Sequence, residues 1–236
     1  MIPVPGYGVM AFDEGGLLYQ GFSGFRRISA EHPKRSLPFN EDTRFRTASI
    51  SKVFSAIGVM LLCEQGMVDL DADVSEYLGF LLRNPHYPDC PITLRMLMSH
   101  TSSVRDGSVY SIPPEDRLEE LLLPGGKYNQ EGDHFADSSD GVDRSPGHFF
   151  SYANLNYGII GTLFERLSGL RFDEYMRRNV LVPMGLGASF NVGDFNAEDL
   201  WNLSPIYQSK NGERWDASQP WAAQIDDYCD QLQPRD

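Results

Sequence analysis

Thr47-Ala48-Ser49-Ile50-Ser51-Lys52-Val53-Phe54 puts a serine at the junction of two kinds of chain. Asp42 to Ala48 before it is extended in character. Ile50 to Gln65 after it is long, apolar and free of proline, which predicts a helix over those residues. A serine at such a junction has free backbone N–H groups of the helix start beside it, and these favour negative charge on a serine alkoxide or an acyl oxyanion. Positions i and i+3 share a helix face, so the Lys52 amine can reach the Ser49 hydroxyl. A lysine pressed into an apolar site loses its proton more easily and can help to take the serine proton. The alternative is a plain helix cap, a common place for serine.

Ser145 to Asn154, with Phe150-Ser151-Tyr152-Ala153-Asn154 at its end, leads into a second predicted helix. Leu155, Ile159, Ile160, Leu163, Phe164 and Leu167 follow helical spacing, Glu165 and Arg166 face away, and Gly169 is a good stop. Tyr152 and Asn154 point the same way in an extended approach. A tyrosine whose pKa is lowered by lysine charge can act as base or proton relay. An asparagine offers a donor and an acceptor to an amine and to a substrate amide. The alternative is a buried Tyr–Asn pair with no chemistry.

The two motifs come in an order that resembles the serine β-lactamase and penicillin-binding-protein superfamily. Within it the chain is most similar to the class C β-lactamase-like serine hydrolases, which include DD-peptidases and esterases. The landmarks run from Gly6 to Gly24 (an opening hairpin turning at Glu14-Gly15-Gly16), through Thr43 to Lys52 and Glu64 to Val74. They continue through Ile92 to Ser102 (similar to Leu-Leu-x-His-Thr-Ser), Tyr152-Ala153-Asn154 and Val182-Pro183-Met184-Gly185-Leu186. They cover residues 5–195. The resemblance implies an α+β fold of the β-lactamase/transpeptidase type, with an N-terminal β-hairpin and a mostly helical body in a single domain over 1–236. It implies acyl-enzyme chemistry on amide, ester or β-lactam carbonyls. Ser49 is then the nucleophile, Lys52 and Tyr152 handle its proton, Asn154 positions Lys52 and the acyl group, and the Ser49 N–H is half of an oxyanion hole. It implies a small-molecule or peptide substrate and no cofactor or metal. Many relatives are exported from bacteria, although no signal peptide opens this sequence.

One departure sets a competing expectation. The family carries a third motif, Lys-Thr-Gly or His-x-Gly, on a strand well downstream of Tyr-x-Asn. Lys210-Asn211-Gly212 matches Lys-x-Gly by letter but lies close to the second motif, and it reads better as a hairpin turn between Tyr207-Gln208 and Glu213-Arg214-Trp215. The expectation is an N-terminal portion of a family member, or a chain completed by another polypeptide. The hairpin would then have an unpaired edge open to self-association or to a second chain. The non-enzymatic alternative is a binding or scaffold protein that keeps the fold without turnover.

The remaining sequence bounds these readings. The chain has 236 residues, 41% of them hydrophobic, enough for a sizeable core, and its net charge of −13 argues against nucleic-acid binding. No apolar run is long enough to span a membrane. Cys63, Cys90 and Cys229 suggest neither a disulfide framework nor a metal cluster, and Cys63 reads as a core thiol. Further helices are expected at Thr93–Ser99, with Thr93 as N-cap, and at Phe172–Val180; paired strands are expected at Tyr7–Asp13 and Leu17–Gly24. Val104 to Arg144 reads as a long functional or mobile loop, with Asp133 and His134 a solvated pair in it. In residues 196–236, Trp201, Tyr207, Trp215, Trp221 and Tyr228 read as aromatic anchors packing loops onto the body, or as a substrate wall.

Overall fold

The apolar run after Ser49 folds as helix α1 (Ser51–Glu64), preceded by a tight 3-10 turn over Ala48–Ile50. Ser55, Gly58, Val59 and Leu62 form its buried stripe, at the spacing that keeps one helix face inward. The computed structural model describes residues 4–29, 32–113, 115–129, 132–205, 207, 209–210 and 214–215. They fall into two compact units, one built on Ser49–Phe190, the other on Met1–Ala48 together with the stretch that begins at Asn191.

The first of these units is helical. After α1 come α2 (Ser75–Leu78), α3 (Leu94–Met98), α4 (Glu119–Leu122), α5 (Leu155–Ser168) and α6 (Phe172–Met176). Thr93 caps α3 as expected, its hydroxyl accepting from the Met96 N–H at 3.3 Å. Helix α5 begins at Leu155, the first residue of the apolar spacing, and closes at the expected stop Gly169, in the left-handed region at φ 67°. Its inward face supplies Ile159, Ile160, Leu163 and Phe164, which join Val59, Leu62, Leu97 and Met176 in the core. The α-helical part of the expected 172–180 helix ends at Met176 and continues as a wider π turn over Arg177–Leu181. That turn keeps Met176, Val180 and Leu181 all buried.

The segment Val104 to Arg144 departs from its expected character. It contains α4, whose Leu121 and Leu122 are buried, and it sends Phe135 and Ala136 into the interior. The Asn84 amide pins it, donating to the Ala136 carbonyl at 2.7 Å and to the Ser103 hydroxyl at 3.0 Å. His134 is not solvated but fully buried, with its ring 3.0 Å from the Val109 carbonyl. Burying a leucine or phenylalanine side chain contributes about 1.5–3 kcal/mol, and Leu121, Leu122 and Phe135 together tie this segment to the core.

The other unit carries the strands. β1 (Gly6–Asp13) and β2 (Gly16–Arg27) form an antiparallel hairpin, and the short β3 (Leu37–Pro38) adds to the far end of β2. Asp13 pairs with Gly16, so the turn is the two residues Glu14-Gly15, one fewer than expected; the Asp13 carboxylate accepts from the Gly15 N–H at 2.7 Å. A bulge between Ala11 and Phe12 leaves Leu18 unpaired. Helix α7 (Ala197–Asn202) begins the expected turn-rich tail, capped by Asn196, and the tail continues into β4 (Ser209–Lys210), which pairs antiparallel with β5 (Arg214–Trp215). That pairing fits the hairpin reading of Lys210 to Gly212; Asn211 and Gly212 lie outside the described residues. Of the expected anchors, Tyr207 is buried and accepts from the Ile28 N–H at 2.6 Å, whereas Trp201 is exposed. Trp221, Tyr228 and Cys229 lie outside the described residues.

Gly58 is where α1 comes closest to its neighbours. A Cβ there would stand 2.9 Å from both the Phe164 ring and the Met176 sulfur. By helix propensity alone Gly58→Ala would stabilise α1 by about 1 kcal/mol. Overpacking wins here: the substitution should destabilise the protein by about 1–3 kcal/mol in denaturant unfolding, and a gain in stability would contradict this packing.

Candidate active site

Ser49 sits on the 3-10 turn that starts α1, directly after Ala48, whose φ of 47° lies in the left-handed region. A residue with a Cβ in that region is uncommon and carries strain, which collects at functional turns. The strained turn presents the Ser49 hydroxyl at the surface, and Lys52 follows on the same side of the helix. Tyr152 and Asn154 arrive on the segment that leads into α5.

These four side chains meet. The Ser49 Oγ lies 2.8 Å from the Tyr152 hydroxyl. The Lys52 Nζ donates to the Ser49 Oγ at 3.3 Å and to the Asn154 Oδ1 at 2.8 Å. The Tyr152 hydroxyl is also 3.3 Å from the Asn154 Oδ1. The Lys52 ammonium stands over the rings of Tyr152 and Tyr157, 5.1 and 5.3 Å from their centroids. Either hydroxyl can donate in the Ser49–Tyr152 contact; when the Tyr152 hydroxyl donates to the Asn154 Oδ1, its oxygen is free to accept the serine proton. The Lys52 ammonium first, and then the Ser49 hydrogen bond, hold the Tyr152 phenol below the ordinary tyrosine range by stabilising its phenolate. A tyrosine so placed can accept a proton from the serine. Neither a plain serine cap nor a buried Tyr–Asn pair describes this cluster, in which Ser49 and Tyr152 are both exposed.

Two further residues belong to the cluster: His100, which lies in the stretch similar to Leu-Leu-x-His-Thr-Ser, and Asp106, which carries no sequence signal that singles it out. His100 is in the left-handed region at φ 57°, and its ring lies against Tyr152 with centroids 4.4 Å apart. Its Nδ1 faces two donors, the Ala153 N–H at 3.3 Å and the Asn156 amide at 3.2 Å, so it must be the unprotonated acceptor. Burial, then the Lys52 charge, lowers the His100 pKa and keeps the ring neutral. Asn156 is itself fixed by the Ser102 hydroxyl, which donates to its Oδ1 at 2.6 Å. The second residue is Asp106, whose carboxylate accepts from Asn154 and Leu155 at the start of α5. Among the described residues no cluster of three or more His, Cys, Asp or Glu side chains could hold a metal ion. No helix among them is long and apolar enough to cross a membrane.

Comparison with known proteins bears on the same stretch. A family model described as Beta-lactamase matches residues 3–225. Monacolin J acid methylbutanoyltransferase of Aspergillus terreus is 29% identical over 201 residues, 78% of this chain and 46% of that protein. Among solved structures, the octameric penicillin-binding protein homologue from Pyrococcus abyssi has a TM-score of 0.67 at 23% identity, over 90% of this chain and 46% of that one. D-amino acid amidase from Ochrobactrum anthropi has a TM-score of 0.63 at 22% identity, over 92% of this chain and 55% of that one. The chain thus spans less than half the length of the curated relative, and these likenesses agree with the expected α+β fold of the β-lactamase/transpeptidase type.

The lowered Tyr152 pKa depends on Lys52. In Lys52→Met the Tyr152 phenol should titrate close to the ordinary tyrosine value of about 10, read as phenolate absorbance against a Tyr152→Phe control. An unchanged titration would mean that the lysine does not act on the tyrosine.

Proposed function

The chain belongs to the beta-lactamase family, and on that premise we propose that it forms an acyl-enzyme on Ser49, as a serine hydrolase or acyltransferase acting on amide, ester or β-lactam carbonyls. The carrying observation is the 2.8 Å contact between Ser49 and a tyrosine whose phenolate is stabilised by Lys52. Tyr152 takes the Ser49 proton as the serine oxygen attacks the carbonyl carbon. The tetrahedral oxyanion is met by N–H groups at the helix start, that of Ser49 among them. The leaving group receives the proton back from the Tyr152 hydroxyl, and the acyl group stays on Ser49. Water then releases it as an acid, or an acceptor hydroxyl or amine carries it away. Lys52 keeps the tyrosine acidic and Asn154 holds Lys52. That one relative is named as an acyltransferase and one neighbour as an amidase supports leaving both fates of the acyl group open.

Mass spectrometry after exposure to an activated ester or a fluorescent penicillin tests this reading. One acyl adduct is expected, on Ser49, and Ser49→Ala should lose it while melting as the parent does. Lys52→Ala and Tyr152→Phe should each slow acylation by about 100-fold or more, and the double variant should be little worse than the worse single, since both act on one proton. Acylation should fall as pH drops through the Tyr152 titration, because protonation removes the base. No adduct with any of these reagents would favour the competing reading, a fold kept for binding without turnover.

We further propose that the outer edge of β1, unpaired among the described residues, takes a strand from a second copy or another chain. Tyr7, Val9, Met10, Phe12, Leu17, Leu18 and Tyr19 leave both faces of the hairpin exposed and apolar. A similar protein named as octameric supports self-association. Light scattering should give a concentration-dependent mass above that of one chain, lowered by Val9→Lys. A monodisperse monomer at high concentration would dismiss the idea.

A further inference from the structure

Asn154 has an amide that can stand either way round, and the site works only one way. With Oδ1 toward Lys52, the ammonium has an acceptor at 2.8 Å. Turned over, the amide would present its own N–H groups to that ammonium. The Asn154 Nδ2 donates to the Asp106 Oδ2 at 3.0 Å, and this bond decides the orientation. The same oxygen accepts from the Asn154 N–H at 3.0 Å, and Oδ1 accepts from the Leu155 N–H at 2.9 Å. The two backbone bonds are what any acidic helix cap would make. The bond to the side-chain amide is surplus to a cap.

Asp106 is in turn held on both sides. The Arg105 N–H donates to the His134 carbonyl at 2.8 Å, and the Ser108 N–H donates to the Asp133 carboxylate at 2.6 Å. The buried His134 ring donates from Nε2 to the Val109 carbonyl at 3.0 Å. Gly107 lies so close to this support that a Cβ would stand 2.6 Å from the Asp133 carboxylate and 2.7 Å from the His134 Nε2. A strap of residues 104–109 clamped in this way presents one carboxylate in one place.

We propose that Asp106 is a positioning residue of the acyl-transfer site, fixing which way round the Asn154 amide stands and, through it, where Lys52 sits. The proposal rests on the reading of Ser49, Lys52 and Tyr152 given above. In Asp106→Asn a single, uncharged acceptor oxygen remains for three donors, so at least one N–H faces another and the grip on the Asn154 amide is weakened. Lys52 then loses its fixed acceptor and moves from Tyr152.

Charge and position predict opposite shifts at Tyr152. The Asp106 charge by itself raises the Tyr152 pKa, whereas Lys52 lowers it and has the larger effect. The other groups bordering this tyrosine are the neutral His100 and the phenols of Tyr110 and Tyr157. Phenolate absorbance of the substrate-free protein, with Tyr152→Phe subtracted in each background, is the first measurement. The expected result in Asp106→Asn is an upward shift of the Tyr152 titration toward the ordinary tyrosine value. A downward shift would make Asp106 a charge and no more, and an unmoved titration would disconnect it from Lys52; either result overturns the proposal. Should the asparagine variant not fold, Asp106→Ser, which keeps an acceptor for the helix start, carries the same measurement.

Acylation rate is the second measurement. Asp106→Asn should lose about 100-fold in the parent, as misplaced catalytic groups do. It should lose little more in an Asn154→Ala background, since it acts through that residue. Equal losses in both backgrounds would overturn the proposal. If the parent protein is never acylated, the proposed function fails, while the tyrosine titration still decides the role of Asp106.

Discussion

Lys52 carries a charge that must be met by acceptors, and the acceptor that meets it best stands 102 residues along the chain. That requirement organises the site. A lysine amine on the first turn of α1 reaches Ser49 on its own helix, but it is steadied by Asn154, at the start of α5. The two helix starts must therefore be held in register to within a hydrogen bond. The core does this. The stripe of α1 around Val59 and Leu62 and the inward face of α5 share one cluster of buried side chains, and Gly58 lets α1 close on Phe164 and Met176. Packing of this kind tolerates little displacement, which makes it a suitable support for contacts that lose their value over a few tenths of an ångström.

Around that register lies a layer of polar groups whose partners are specified one by one. His100 must be neutral and must accept at Nδ1, because both of its neighbours donate. Asn156 must turn its oxygen to Ser102, and Asn154 must turn its nitrogen to Asp106. Each of these groups would cost about 1–3 kcal/mol if buried without its partner. The layer therefore resists rearrangement, and it leaves the outer face, with Ser49 and Tyr152 exposed, free for an incoming carbonyl. The strain at Ala48 and His100 fits the same picture, since one residue immediately precedes Ser49 and the other backs Tyr152.

Helices α1, α3 and α5, the Thr93 cap, the Gly169 stop and the opening hairpin follow from local rules: spacing of apolar residues, capping chemistry and turn residues. The gathering of Ser49, Lys52, Tyr152 and Asn154 was legible because Ser49 and Lys52 share a helix turn and Tyr152 and Asn154 an approach to a helix. Joining the two pairs needed the family resemblance, since no local rule connects segments so far apart. The loop from Val104 to Arg144 was misjudged because its polar, turn-rich composition masks the apolar residues that it buries, Leu121, Leu122, Phe135 and Ala136 among them. A solvated His134 was expected for the same reason; the ring is enclosed because the strap and its support pack against each other.

The sequence alone determined the main helices α1, α3 and α5 and the opening hairpin, and which residue types could carry acyl chemistry. These are properties of neighbours three or four positions apart, where side chains interact within a single element. Only the tertiary structure decided which way the Asn154 amide turns, which nitrogen of His100 accepts, and that Asp106 rather than any other acidic residue stands behind the site. Asp106 lies 48 residues from Asn154, and hydrogen bonds across such a separation leave no periodicity to read. Their partners are chosen by the packing of the elements that carry them, and that choice exists only once the chain has folded.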